Sequence, residues 1–108
     1  MERAASKVMT TKEAVNRFVR NGDSVITGNY TESLPMSLIF EIIRQKKKGL
    51  TYYSQSGSLD AEFMIAGDGV EKMVSAFLTK YGGRNAGCMV ERYQRAGKIL
   101  VEDYSNFT

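Results

Sequence analysis

VITGNYTESLPMSLIFEIIR, residues 25–44, reads as a strand, a tight turn and a helix in direct succession. Val25, Ile26 and Thr27 form a short apolar, β-branched run of the kind that favours a pleated strand. Gly28 and Asn29 break it, and Tyr30-Thr31-Glu32-Ser33 continues as a polar stretch. Pro35 suits the first position of a helix, where its missing N–H costs nothing. Leu34, Leu38 and Ile42, with Ile39 and Ile43, then make one broad apolar stripe at helical spacing. In open α/β sheets ligands sit outside the carboxyl ends of the strands, so the Gly28 turn is the first place to look for a site.

Working outward, the same alternation recurs. Thr10 and Glu13 offer a capping box for a first helix that runs to about Arg20, with Ala14, Val15, Phe18 and Val19 on one face and Glu13 paired to Arg17 on the other. Strand 1 is expected over residues 24–27 and helix 2 over 35–47, closed by Gly49. Strand 2 is expected over 50–54, with Gln55-Ser56-Gly57-Ser58 as a second small-residue turn. A short helix over 60–66, a strand over 72–77, a helix over 88–96 and a strand over 98–101 complete the pattern. Met89, Val90 and Tyr93 face inward on the last helix, with Glu91 and Arg95 paired outside. Residues 80–87, KYGGRNAG, make a third glycine-rich loop. The order αβαβαβαβ with short apolar strands implies an α/β fold, an open, mostly parallel sheet with flanking helices. Right-handed crossovers bring the three small-residue loops to one edge, where backbone N–H groups can be aimed at an oxyanion or phosphate.

Composition narrows the chemistry. The 108 residues suffice for one domain and one core, and 43% hydrophobic with 25% charged residues is ordinary for a soluble globular protein. A net charge of +3 falls short of the basic face of a dedicated nucleic-acid binder. The one cationic run, Lys46-Lys47-Lys48, sits at a helix end, where cations are favourable. Neither a leader-like segment nor a membrane-length apolar run is present, and a single cysteine, Cys88, suits a reducing cytoplasmic setting. There is no histidine, so Ser-His and Cys-His nucleophilic sites and histidine metal sites are excluded from this chain.

Familiar phosphate motifs fail. Gly82 and Gly87 have P-loop spacing, but Cys88-Met89 stands where Lys-Ser/Thr is required. Gly67-x-Gly69 lacks a third glycine and precedes a strand. Cys88 at a helix start has no histidine partner and reads as a small packed side chain, and Glu32 as a solvated loop carboxylate.

Four pieces of sequence are nevertheless collinear with a family. Lys7-Val8-Met9-Thr10 with Lys12-Glu13-Ala14, then Gly22-Asp23, resemble its opening helix and turn. Gly28-Asn29-Tyr30 falls at a Gly-Gly-Phe-like turn, followed by Pro35 and Phe40-Glu41-Ile42-Ile43-Arg44-Gln45. Asn85 and Arg92 fall in a following loop and helix. Ala96-Gly97-Lys98 and Glu102-Asp103-Tyr104-Ser105 match the next strand and its exit. From about residue 7 onward the chain resembles the N-terminal part of the alpha subunit of family I coenzyme A transferases of the glutaconate type.

That resemblance implies transfer of CoA from an acyl-CoA to a carboxylic acid through an enzyme–CoA thioester on a glutamate. The glutamate is expected on a partner, beta subunit, so no catalytic nucleophile is expected here. The CoA thioester is the substrate, and no permanently bound cofactor or metal is implied. Gly28 and Asn29 would turn backbone N–H groups toward the oxyanion, and Tyr30 would wall the acyl pocket. Ser54, Ser56, Gly57 and Ser58 would line the substrate side, and Asn85 would approach the acyl group or CoA. Asn29 departs from the family's second glycine, although Asn tolerates positive φ better than most residues. The alpha chains of the family are longer than this one, so residues 1–108 are expected to be a single, incomplete domain, the N-terminal portion of an alpha subunit, which lacks part of its sheet, exposes apolar surface, is inactive alone and sits in an oligomeric setting. Alternatives are a subunit of a CoA-dependent ring-opening hydrolase of the same fold and a non-catalytic assembly module. A sugar-phosphate isomerase of similar fold would need a proton-shuttling constellation that is missing.

Overall fold

The computed structural model describes residues 6–27, 34–78 and 89–105. Its elements run α1 (Thr11–Phe18), β1 (Ser24–Ile26), α2 (Met36–Arg44), β2 (Leu50–Gly57), α3 (Leu59–Ala66), β3 (Val70–Leu78), α4 (Met89–Arg95) and β4 (Leu100–Asp103). The four strands form one sheet in the order β1-β2-β3-β4, and every neighbouring pair is parallel. The expected αβαβαβαβ succession is therefore present.

Element ends differ from expectation for local reasons. The capping box at Thr10 and Glu13 forms, with hydrogen bonds of 3.1 and 3.0 Å. Glu13 is thereby drawn to the helix start, and Arg17 lies 5.2 Å over the ring of Phe18 rather than closing the expected pair. The first helix stops at Phe18 because Val19 is already extended (φ −110°, ψ 117°), and the Asp23 carboxylate accepts from Arg20 N–H at 2.8 Å. Pro35 is the residue before α2 rather than its first helical residue, with a non-helical ψ of 68°. At the other end Lys46 turns left-handed (φ 54°), which ends the helix before the lysine run.

The largest boundary change is in β2. Gln55, Ser56 and Gly57 read as a turn by composition, yet Ser56 pairs with Phe77 and Gly57 with Leu78, which carries the strand to Gly57. Conversely Lys98 belongs to the end of α4: its N–H donates to Tyr93 C=O at 2.8 Å across Gly97 (φ 71°), so β4 begins two residues later. The Glu91–Arg95 pair forms at 2.6 Å.

A consecutive strand order with right-handed crossovers puts successive helices on the same side of a sheet. Here α1 packs on α2, α2 on α3 and α3 on α4. Beneath them lies the core: Val15 from α1, Ile39 and Ile42 from α2, Met64 and Ile65 from α3, and Tyr52 and Met73 from the sheet. Strand side chains alternate between faces. Tyr52, Ser54 and Ser56 point under the helices and are buried, whereas Tyr53 and Gln55 point away and are exposed. Ile26 and Leu100, paired with Tyr53 and Lys72, share that open face and are 78% and 69% exposed. Among the described residues the sheet is thus clothed on one side.

Candidate functional site

The carboxyl ends of β1 and β2 meet the start of α3 in a buried polar cluster. The Tyr52 hydroxyl donates to Asp60 Oδ2 at 2.5 Å, Ser54 Oγ donates to the same oxygen at 3.2 Å, and Ser58 N–H donates to Asp60 Oδ1 at 2.8 Å. Thr27 Oγ1 lies 2.5 Å from the Tyr52 oxygen. Because the Tyr52 proton is directed to the carboxylate, the Thr27 hydroxyl is the donor of that fourth bond. Asp60 and Tyr52 are both fully buried. A carboxylate in such a place is tolerable only when its oxygens are hydrogen-bonded, and three donors meet it here.

Local sequence explains the cluster. Tyr52 and Ser54 are two apart on one strand, so both project to the helix side. Ser58 ends the strand excursion, and Asp60 lies in the first turn of α3, where a negative charge is favoured by the helix dipole. Burial first, and then the Asp60 acceptor, push the Tyr52 hydroxyl well above the ordinary tyrosine range, so it stays a proton donor to Asp60. The cluster is a fixed set of donors and acceptors with no proton in transit.

Of the sequence-derived site residues, Ser54, Ser56, Gly57 and Ser58 come together here, and all four are buried. Ser54 has committed its proton to Asp60. Ser58 Oγ is buried with no hydrogen-bond partner among the described residues. Gly28, Asn29, Tyr30 and Asn85 lie outside the described residues, as do Glu32 and Cys88. Sequence reading missed Thr27, Tyr52 and Asp60. The usable signal was Tyr52, Ser54 and Ser56 at alternate positions of one strand, followed six residues after Ser54 by an aspartate at a helix start.

Two shallow spaces flank the cluster. One, of about 460 Å³, lies on the open face against Ile26, Tyr53, Val74, Ala76 and Tyr104. The other, about 410 Å³, is an apolar groove between α1, β1 and α2 that includes Phe18, Thr27, Pro35 and Leu38. Elsewhere on α2, Glu41 is buried, accepts from Gln45 Nε2 at 3.1 Å and pairs with Arg44. The Gln45 bond first, together with the Arg44 guanidinium, outweighs burial and holds the Glu41 carboxyl below its usual range. Glu62 accepts from Met89 N–H at 3.0 Å, which ties α3 to the first residue of α4. No group of three or more metal-ligating side chains occurs among the described residues. No described helix is long and apolar enough to cross a membrane.

An open, all-parallel α/β sheet with its polar side chains gathered at the carboxyl ends of adjacent strands defines the class of this protein. More narrowly, the chain belongs to the coenzyme A transferase family, whose model matches residues 8–108. It is 32% identical over 101 residues to the A subunit of glutaconate CoA-transferase from Acidaminococcus fermentans, covering 93% of this chain and 32% of that protein. It is 34% identical over 68 residues to the A subunit of 3-oxoadipate CoA-transferase from Pseudomonas knackmussii, covering 63% of this chain and 24% of that one. The crystal structure of the Acidaminococcus fermentans glutaconate coenzyme A-transferase superimposes with a TM-score of 0.81 at 31% identity, over 94% of this chain and 32% of that chain. A variant of the decarboxylase AibA/AibB shares the fold with a TM-score of 0.77 at 24% identity, over 92% of this chain and 38% of that one. The chain spans about a third of the length of the glutaconate CoA-transferase polypeptide it matches.

Proposed function

We propose that this chain acts as the alpha-type part of a CoA-transferase that moves CoA from an acyl-CoA to a carboxylic acid in the cytoplasm, as one domain of a larger subunit. The observation that carries this reading is the family match over residues 8–108, with relatives named as A subunits of CoA-transferases. In this reading the nucleophile is a glutamate of a beta-type partner subunit. Its carboxylate attacks the thioester carbonyl and expels CoA as a thiolate. That thiolate then attacks the glutamyl carbonyl of the resulting anhydride, forms the enzyme thioester and releases the first acid. The absence of histidine in this chain agrees with that division of labour. Gly28 and Asn29 supply backbone N–H groups to the oxyanion, and Tyr30 walls the acyl group. Ser54, Ser56, Gly57 and Ser58 line the substrate side, and Asn85 approaches the acyl group or CoA.

The test is CoA transfer from an acyl-CoA to a carboxylic acid by the complex of the full subunit with its partner. Gly28→Val is expected to lower kcat by about a hundredfold or more, the loss typical of a disabled oxyanion donor. Unchanged turnover would remove the assigned role of the turn. Release of free CoA without an acylated acceptor would favour the hydrolase reading instead.

A further inference from the structure

We infer that Asp60, Tyr52 and Thr27 form a side-chain clamp that fixes the carboxyl end of β1, with Thr27 as a positioning residue. β1 has three residues and, among the described residues, lies at the edge of the sheet with β2 as its one ladder partner. Its register with β2 ends at Ile26–Tyr53. Thr27 is the next residue, beyond the last paired position. What holds it is its hydroxyl on the Tyr52 oxygen at 2.5 Å. Tyr52 is in turn held by Asp60, and Asp60 by Ser54 and by the Ser58 N–H. The chain of donors runs one way, from Thr27 to Tyr52 to the carboxylate. It fastens the half-buried end of an edge strand to the first turn of α3, and Thr27 and Tyr52 lie 25 residues apart along the sequence. An ordinary buried tyrosine needs only one partner. The second contact, to a half-buried threonine at a strand end, is the feature that packing does not require.

The clamp stands on this geometry alone. Its consequence for turnover rests on the reading given above, because it sets where the chain leaves β1 toward Gly28. Thr27→Val removes only the Thr27–Tyr52 hydrogen bond, Tyr52→Phe removes it together with the Tyr52–Asp60 bond, and Thr27→Ser keeps both. Amide hydrogen exchange in the complex with the partner protein is expected to quicken about five- to tenfold across residues 25–27 in the first two variants, the effect on local opening of losing the Thr27 hydrogen bond. Exchange in β3 and β4 should stay within about twofold of the parent, as local opening allows. The double variant should be no faster than Tyr52→Phe alone, and Thr27→Ser should match the parent. The same two variants should lower kcat about tenfold with KM for the acyl-CoA within about twofold, the pattern of a lost alignment rather than lost binding. Unchanged exchange at 25–27, equal acceleration in all four strands, or Thr27→Ser behaving like Thr27→Val would overturn the clamp. Faster exchange with unaltered kcat would overturn the positioning role. A parent complex that transfers no CoA would overturn the proposed function instead, and the exchange data would still decide the clamp.

Discussion

On the helix side of the sheet Leu50, Tyr52 and Met73 are sealed from solvent, together with Ser54, Ser75 and the Asp60 that sits above them. On the other side Ile26, Tyr53, Leu100 and Tyr104 stand exposed, with the Lys72–Glu102 ion pair at 2.9 Å among them. The covered face holds many of the polar groups, and the bare face holds large apolar ones. Residue polarity therefore does not reveal which face of this sheet is packed. Connectivity does: consecutive parallel strands send every crossover to the same side, and the Tyr52, Ser54 and Asp60 side chains are admitted there because they hydrogen-bond one another.

The strongest way to break this comparison is to delete equal volumes on the two sides. Ile39→Ala, on the fully buried face of α2, should cost about 2–5 kcal/mol in urea unfolding, since it opens a cavity that its neighbours fill only in part. Ile26→Ala on the open face should change stability by no more than about 0.5 kcal/mol, as expected of an exposed position. Equal losses would mean that the open face is packed in solution.

A smaller effect tests the helix layer alone. A Cβ on Gly67 would lie 2.6 Å from Cγ1 and 3.0 Å from Cγ2 of Ile43, atoms close to the Ile43 backbone that have little room to move. Gly67→Ala should destabilise by about 1–3 kcal/mol in the same assay, as overpacking usually does. A neutral result would show that α2 and α3 can slide apart.

The smallest expected effect is a pH dependence. The Glu41 carboxyl is held below its usual 4.5, so the native state favours its ionised form. The stability it lends is complete above that ordinary value and is lost as pH falls through the lowered one. Glu41→Gln should therefore flatten the acid limb of a stability–pH profile by lowering its neutral region, where the ionised carboxylate contributes, and leave the acid end nearly unchanged. An unaltered acid limb would show that exposure at Arg44 and Gln45 screens the whole effect.

The sequence made some of this plain. The capping box at Thr10 and Glu13, the apolar stripe through Ile39 and Ile42 and the Glu91–Arg95 pair are local patterns, and local physics decided them. Gln55-Ser56-Gly57 went the other way. Small polar residues favour turns by themselves, but pairing with Phe77 and Leu78 overrode that preference, and no partner strand is visible from inside a segment. The buried carboxylates were illegible for a similar reason. Asp60 and Glu41 look solvated until the donors around them, from Tyr52, Ser54 and Ser58 or from Arg44 and Gln45, are brought together by the fold. Of the candidate site, Ser54, Ser56, Gly57 and Ser58 were picked out as one group by composition, and the fold places them along the end of β2 and just before α3. The Thr27–Tyr52–Asp60 arrangement was not readable, because it joins residues that are distant in the chain.

The strand order has a further consequence, for the time course of folding. Each strand pairs with the strand made just before it, and each helix packs on its predecessor. Among the described strands no pairing skips a neighbour, so each new βα unit closes a loop of modest length onto a surface already present. During synthesis β1 would be at hand when β2 emerges, and β2 when β3 does. The chain is laid down like successive staves, each braced by the last, and the growing edge is always the strand most recently made.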